Sequence, residues 1–557
     1  MRVPYQQKIQ FYRMKAMPKF IIPLVLTVLS TSISASISII PQPSTVNELT
    51  GQFIFSNKTT ICTKGGAQAN QVASAFIGIL EKSTGEKFNL CQQSRKSNSI
   101  TFILDEKLQM PNEGYELNVK SNKVEVISNT AHGLFNGMQS LRQIFPSEIE
   151  KRGTNFSVWT LPCVSIVDAP RFSYRGMHLD VSRHFFDKKF ILKYIDMMSM
   201  YKYNRFHWHL TDDQGWRVEI KRYPKLLKTS AYRTECNGDT TGGFYTQQEI
   251  KEVVQYAKDR YIEVIPEIEM PGHAVAVLAT YPEFSCSGGP FTVPTTWGIF
   301  HDVFCAGNDQ VFEFIDNVLD EIIPLFPSKY IHIGGDECPK TRWERCSKCQ
   351  ARIKNENLKD EHELQSYFIK RIEKYLNIKG KQIIGWDEIL EGGVSNSATI
   401  MSWRGMKGGI EAAQHGNYVV MSPASHCYLD HYQGIDTEEP LAFGKGKPYN
   451  IPLQQAYEFD PMPKNLTDEQ SKYILGGQAN VWSEYLPTTE QVEYMVYPRA
   501  LALSECFWSN PANKSFDNFE QKVHSHYSRM ENYGISFSKS GDKQSTKDLY
   551  QTLTKKK

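Results

Sequence analysis

From Phe172 onward the sequence repeats one unit: a short apolar run, a polar or aromatic tip, then an amphipathic stretch. Eight such runs are predicted as strands, at Tyr174 to Asp180, Arg205 to Asp212, Ile262 to Glu269, Tyr330 to Asp336, Gln382 to Asp387, Thr399 to Trp403, Tyr418 to Ser422 and Tyr473 to Trp482. Helical periods fill several of the intervals, at Lys188 to Tyr201, Thr246 to Asp259, Gln310 to Leu325 and Glu361 to Leu376. Apolar strands alternating with helices bury both faces of a parallel sheet, so eight of them over roughly 340 residues predict an α/β fold closed as a (β/α)8 TIM barrel. The competitor is an open doubly wound sheet, which calls for a Gly-rich phosphate turn after its first strand; none follows in this chain.

The rest of the chain is read around that barrel, assigned to residues 169–515. Residues 37–168 are predicted as a small α/β supporting domain, with strand-like runs at Ile100 to Leu104, Tyr115 to Val119 and Val124 to Ile127 before a helical stretch from Ala131 to Ile144. Residues 516–557 form an extension whose Lys-rich end reads as a frayed, solvated tail. At the other end, basic residues through Lys19 precede an apolar run from Phe20 to Leu29 and small residues from Ser30 to Ser38. That order predicts a secretory signal over residues 1–36, cleaved near Ala35. The run is short of the ~20 residues a membrane span needs, so no stable span is expected, with a retained anchor helix as the alternative. The basic segment also leaves Met14 and Met17 open as translation starts. The expectation is export to a periplasmic or extracellular space, lysosome-like in a eukaryotic host, where sequons at Asn57, Asn155, Asn465 and Asn513 would matter.

Eleven Cys suit an oxidising compartment, and the odd count leaves one over. Cys62 with Cys91, and Cys286 with Cys305, are plausible local disulfides, while Cys338, Cys346 and Cys349 are a candidate structural zinc group without a fourth spaced ligand. A net charge of +2 with 22% charged residues argues against a nucleic acid partner and favours a neutral one. Aromatic residues make up 12% of the chain, and several of its nine Trp stand beside carboxylates. That pairing suits sugars, whose C–H faces stack on rings while their hydroxyls need polar partners.

A barrel places its active site at the C-terminal strand ends, and the exits carry Asp212, Glu269, His273, Asp336, Glu337, Trp386, Asp387, Trp403, Tyr428, Asp430, Trp482 and Glu484. The fourth is the most telling. Tyr330-Ile-His-Ile-Gly-Gly-Asp336-Glu337 runs an alternating apolar strand into two glycines and then two adjacent carboxylates. Like charges this close raise one pKa, and a carboxyl kept protonated is what a general acid for glycosidic oxygen must be. Consecutive residues are poorly placed to straddle a sugar ring at the roughly 5 Å of an ordinary retaining glycosidase. They suit an arrangement in which Glu337 protonates the leaving oxygen while Asp336 grips a neighbouring 2-acetamido group.

In these residues the chain resembles glycoside hydrolase family 20, the β-N-acetylhexosaminidases, from about residue 40 to 510. The resemblance rests on Tyr174-Arg175-Gly176, Phe206-His-Trp-His-Leu-Thr-Asp212-Asp213-Gln214, Glu269-Met-Pro-Gly-His273, His332-Ile-Gly-Gly-Asp336-Glu337, Gly385-Trp386-Asp387-Glu388 and Val481-Trp482-Ser483-Glu484. It implies an exo-acting enzyme that releases terminal N-acetylhexosamine with retention, through an oxazolinium formed by the substrate's own acetamido group, with no cofactor or metal. It further implies Glu337 as general acid and base, Asp336 as the acetamido-orienting carboxylate, and Tyr428 as donor to the acetamido oxygen. Trp386, Trp403 and Trp482 would line the acetamido pocket, Arg175 and Glu484 with Asp430 nearby would bind sugar hydroxyls, and Asp212 with His273 would form a relay behind Glu337.

Each position also has a structural reading. Arg175 sits early in its strand, where a barrel-bottom ion pair is the alternative; Trp386 and Trp403 suit a core; His273 suits a turn. His207 and His209 alternate onto one side of a strand, as in a metal-dependent barrel hydrolase, with His273, His332, Asp212 and Asp336 as the further ligands on offer. A carbohydrate-binding protein without turnover is the third reading, and it gives the adjacent acids nothing to do.

Overall fold

The computed structural model describes residues 37–92, 97–434, 439–443 and 450–539. The predicted signal segment and the Lys-rich tail lie outside them. No helix among the described residues is long and apolar enough to cross a membrane.

The first domain is a seven-stranded sheet carrying the helices Ala67–Thr84 and Ala131–Ile144. Its strand Lys123–Ser128 buries every second residue, the period-2 pattern of a sheet with one covered face. Phe55, Phe76, Leu134 and Phe145 fill the space beneath the helices. Cys62 and Cys91 stand opposite each other on paired strands and are joined by a disulfide. Cys286 and Cys305 are not joined; their sulfurs face Cys349 and Cys346, and Cys338 lies buried away from that group.

The second domain is the expected closed barrel of eight parallel strands. In chain order they are Tyr174–Asp180, Arg205–His209, Glu263–Glu267, Tyr330–His332, Gln382–Trp386, Thr399–Ser402, Val419–Met421 and Ile474–Ala479. The last pairs with the first, Gly477 opposite Arg175, to close the ring. All eight lie within the predicted runs and most are shorter at their C-terminal ends. The fourth stops at His332 because Gly334 and Gly335 take φ of 65° and 92°, a left-handed turn that only glycine adopts freely. Gly334 is doubly constrained, since a Cβ there would lie 1.7 Å from Glu269 Oε2.

The domains share buried polar contacts. Lys202 pairs with Asp168 at 3.2 Å, and Trp508 Nε1 donates to both Asp168 oxygens at 3.0 Å. The helix Phe516–Tyr533 is part of this packed body: Phe519, Val523 and Met530 are buried, and Arg529 donates to Glu150 at 2.6 Å. The predicted extension thus begins with a docked helix.

Candidate active site

The barrel interior is built around Glu267. Its Oε2 meets His207 Nε2 at 2.9 Å and bonds His209 Nδ1, while its Oε1 meets His332 Nδ1 at 2.7 Å and accepts from Trp386 Nε1 at 2.9 Å. Burial alone would raise the Glu267 carboxyl, but the surrounding imidazoles, His332 foremost, hold it well below the usual range. His209 opposes its own burial through Glu267 and Asp212 and is pushed up to about 10, whereas burial takes His207 down to about 4. So one imidazolium and one carboxylate neutralise each other inside the barrel. His207 and His209 belong to this buried hub and do not line the cavity.

Above the hub, at the C-terminal strand ends, opens a cavity of about 680 Å³, the size expected of a small-ligand site. Asp336 and Glu337 enter it from the fourth strand, and His273 Nε2 stands 3.6 Å from Asp336 Oδ2 and 3.7 Å from Glu337 Oε2. His273 and Glu337 hold φ of 48° and 42°. For residues with a Cβ this costs on the order of 1 kcal/mol or more each, a strain that gathers at functional sites. Behind His273, Nδ1 lies 3.2 Å from Asp212 Oδ1 and 3.1 Å from Asp213 Oδ2. Asp212 Oδ2 in turn receives His209 Nε2 at 2.8 Å and Arg183 Nη2 at 2.9 Å. Burial would raise Asp212, but Arg183, His273 and the His209 bond hold it well below its ordinary value. His273 is driven well up against its burial by Asp212 and Asp336, so it is an imidazolium beside these two carboxyls.

Burial pushes the Asp336 carboxyl up to about 7; His273 opposes, while Glu267 and Glu337 reinforce it. Glu388 is driven up to about 9 by burial and then by Asp336 and Asp387. It stands as a neutral acid at pH 7 and accepts from Trp403 Nε1 at 2.9 Å.

The aromatic wall sits beside this pair. Trp403 and Tyr428 stack with centroids 6.1 Å apart, Tyr428 and Trp482 lie 6.2 Å apart, and Trp386 lies 5.8 Å from Trp482. Trp403, Tyr428 and Trp482 line the cavity; Trp386, 1% exposed, forms the layer below. Burial raises the Tyr428 phenol well above its usual value and keeps it a donor.

Arg183, Asp430 and Glu484 also line the cavity. Arg183 lies over the Trp482 ring at 5.1 Å, with Nη1 3.3 Å from Asp180 Oδ2 and 3.9 Å from Glu484 Oε1. Burial and the neighbouring Glu484 drive Asp430 well up. Asp336 Oδ1, His273 Nε2 and Asp430 Oδ1 are buried polar atoms with no protein hydrogen-bond partner. Such groups are rare and costly without a partner, and all three belong to cavity residues.

One expected site residue is misplaced. Arg175 is 1% exposed at the N-terminal end of the first strand, where it bonds Glu113 of the first domain and donates to Lys202 O and Phe172 O at 2.8 Å each. It is a structural ion pair at the barrel bottom, as its early strand position allows. The guanidinium in the cavity is that of Arg183, just past the C-terminal end of the same strand. The sequence signal lies in Asp180-Val-Ser-Arg183, the one strand exit whose tip is absent from the predicted set. Asp213 and Glu388 fall within the family motifs without an expected role, and the loop residues Trp297 to Ile299, which line the cavity, are missed by sequence reasoning.

Comparison with known proteins agrees with this architecture. Residues 172–511 match the catalytic domain of glycosyl hydrolase family 20, and residues 36–169 match family 20 domain 2. A beta-hexosaminidase of Porphyromonas gingivalis is 48% identical over 503 residues, covering 90% of this chain but 64% of that protein. One of Akkermansia muciniphila is 35% identical over 74% of this chain and 83% of its own length. Among solved structures, Streptomyces plicatus N-acetyl-beta-hexosaminidase in complex with Thio-NAglucal superposes with a TM-score of 0.81 at 31% identity, covering 91% of this chain and 97% of that one. The beta-N-acetylhexosaminidase of Bacteroides fragilis gives 0.77 at 33% identity, covering 90% and 97%. In sequence, domain order and barrel, the chain belongs to glycosyl hydrolase family 20.

Proposed function

We propose that the chain is an exo-acting β-N-acetylhexosaminidase that removes terminal non-reducing N-acetylhexosamine with retention of configuration. The observation that carries this reading is that Asp336 and Glu337 approach the same nitrogen of His273, at 3.6 and 3.7 Å. Two carboxyls on one side of a site cannot divide the work of acid and opposed nucleophile, for which they must straddle the sugar. They can divide the work of acid and acetamido partner, and family 20 stands among the recognised substrate-assisted exceptions to the two-carboxylate scheme.

In the proposed cycle Glu337 gives its proton to the glycosidic oxygen as the acetamido carbonyl oxygen attacks the anomeric carbon. The aglycone leaves as an alcohol and an oxazolinium forms. The Asp336 carboxylate accepts the acetamido N–H, whose acidity and positive charge grow in the transition state, so its stabilisation is differential. Tyr428 donates to the acetamido oxygen, and Trp403 and Trp482 confine the methyl group. Glu337 then takes a proton from the water that opens the oxazolinium, and two inversions give retention. His273 and Asp212 set the charge behind the pair. Arg183, Glu484 and Asp430 bind sugar hydroxyls of the terminal residue. The solved relatives include a Streptomyces plicatus enzyme variant in complex with product GlcNAc, which supports the same class of substrate for this chain. Export is part of the proposal and rests on the basic, apolar and small-residue order of residues 1–36; N-terminal sequencing of the secreted protein tests it, and retention of Met1 contradicts it.

The test of the catalytic assignment is Glu337→Gln. Turnover of an unactivated chitooligosaccharide is expected to fall by about 10³-fold with KM near normal, in the range for loss of a general acid. Unchanged turnover would remove Glu337 from the role.

A further inference from the structure

Four cysteines from two separate excursions of the barrel meet on one side of the cavity. Cys286 and Cys305 flank the long segment after the third strand. Cys346 and Cys349 flank the first turn of the helix Ser347–Asn355, in the excursion that begins with Asp336 and Glu337. Cys305 Sγ lies 3.7 Å from Cys346 Sγ and 3.6 Å from Cys349 Sγ, and Cys286 Sγ lies 3.7 Å from Cys349 Sγ. All four sulfurs fall within 4.8 Å of one another.

Those spacings discriminate between two chemistries. Sulfurs bonded as a disulfide stand about 2.05 Å apart and pair off exclusively. Four thiolates on one zinc ion at about 2.3 Å occupy the corners of a tetrahedron whose edges are about 3.8 Å. In this group Cys305 is equally close to two sulfurs and selects neither, and each of the three approaches matches a tetrahedral edge. We propose that Cys286, Cys305, Cys346 and Cys349 form a structural zinc site of four thiolates.

The surroundings fit that assignment. The two loops press backbone against backbone: a Cβ on Gly307 would meet Lys348 C at 2.2 Å and Cys349 N at 2.4 Å. Cys305 and Cys349 are fully buried, while Cys286 and Cys346 line a surface cleft with His301, Arg342 and Arg345. The cleft gives the ion an entry path, and its guanidinium groups offset the charge of about −2 left when the four thiol protons go to solvent. All four positions about the ion are taken by protein, so the site is closed and structural, not hydrolytic. It would tie the segment bearing the cavity-wall residues Trp297 to Ile299 to the one that follows Glu337. The inference stands apart from the catalytic reading.

The test is elemental analysis of the purified full-length chain, with its mass measured under denaturing, non-reducing conditions. About one zinc per chain is expected, with all four cysteines open to alkylation once a chelator is added, and a cobalt-substituted sample should show the visible bands of a tetrahedral thiolate site. Cys349→Ser is expected to lose the zinc. Because that variant risks not folding, Cys346→His serves as the second: a set of three thiolates and one imidazole keeps the zinc and changes the cobalt spectrum. Zinc content near zero, whether two disulfides join these residues or another metal takes their place, would overturn the site. Full zinc content in Cys349→Ser with an unchanged cobalt spectrum would do the same.

Discussion

Asp336→Asn separates what Asp336 costs the fold from what it contributes to the reaction. Asp336 is 9% exposed and burial pushes its carboxyl from an ordinary 3.8 up to about 7. A carboxyl raised in the folded state leaves stability intact at pH values below its unfolded value. The penalty develops as the pH rises from about 4 through about 7, when the buried group must ionise. The gap corresponds to roughly 4 kcal/mol at most, and sharing of charge with Glu337, Glu388 and His273 brings the expectation to about 2 kcal/mol. Asn has nothing to ionise. The variant is therefore expected to unfold several degrees above the wild type at pH 8 and level with it near pH 4, by thermal scans of the two proteins side by side. In the same preparation kcat on a chromogenic N-acetyl-β-glucosaminide should fall by about 10²- to 10³-fold with KM little changed, as when one preorganised charge partner of a transition state is removed. A variant less stable than wild type at pH 8, or a loss confined to KM, would refute the reasoning.

The two arginines give an internal comparison. Arg183→Lys should lower kcat/KM by about 10-fold or more, since a point charge replaces a planar fork, whereas Arg175→Lys should leave kcat/KM alone; the reverse pattern in steady-state kinetics would return Arg175 to the site. Arg175→Ala leaves the half-buried Glu113 without its main partner and should cost about 3 kcal/mol by denaturant unfolding. Tyr428→Phe should lower kcat by about 10- to 100-fold with KM nearly constant, and an unchanged kcat would remove the acetamido donor. Glu388→Gln should be close to wild type at pH 7, because the acid it replaces is already neutral and the amide oxygen still accepts from Trp403; a large loss of activity would mean that Glu388 works as a carboxylate.

The barrel is legible in the sequence because its signal is repeated: eight apolar runs, each with its polar tip, leave few alternatives, and every strand falls inside its predicted run. Chemistry at strand exits is legible for the same reason, since a short motif such as Gly334-Gly335-Asp336-Glu337 fixes both the turn and the carboxyls it presents. The misplaced arginine shows the limit. Tyr174-Arg175-Gly176 and Asp180-Val-Ser-Arg183 flank the same strand, and only the direction of a parallel strand says which end faces the cavity. Arg175 opens its strand and so belongs to the bottom. The Glu267 hub is invisible for another reason: His207 and His209 come from the second strand, Glu267 from the third and His332 from the fourth, and their meeting is defined by register across the barrel. The cysteine group is hidden in a similar way. Local spacing suggests Cys286 with Cys305, whereas their nearest sulfurs come from the next barrel excursion.

The most direct test of the central claim is the hydrolysis of a chromogenic N-acetyl-β-glucosaminide beside its plain β-glucoside. Cleavage of the first alone is predicted, because in the proposed mechanism the acetamido oxygen is the nucleophile and Asp336 has no substituent to grip without it. Comparable cleavage of both would mean that a side chain of the protein attacks the sugar, and the roles assigned to Asp336 and Glu337 would be wrong.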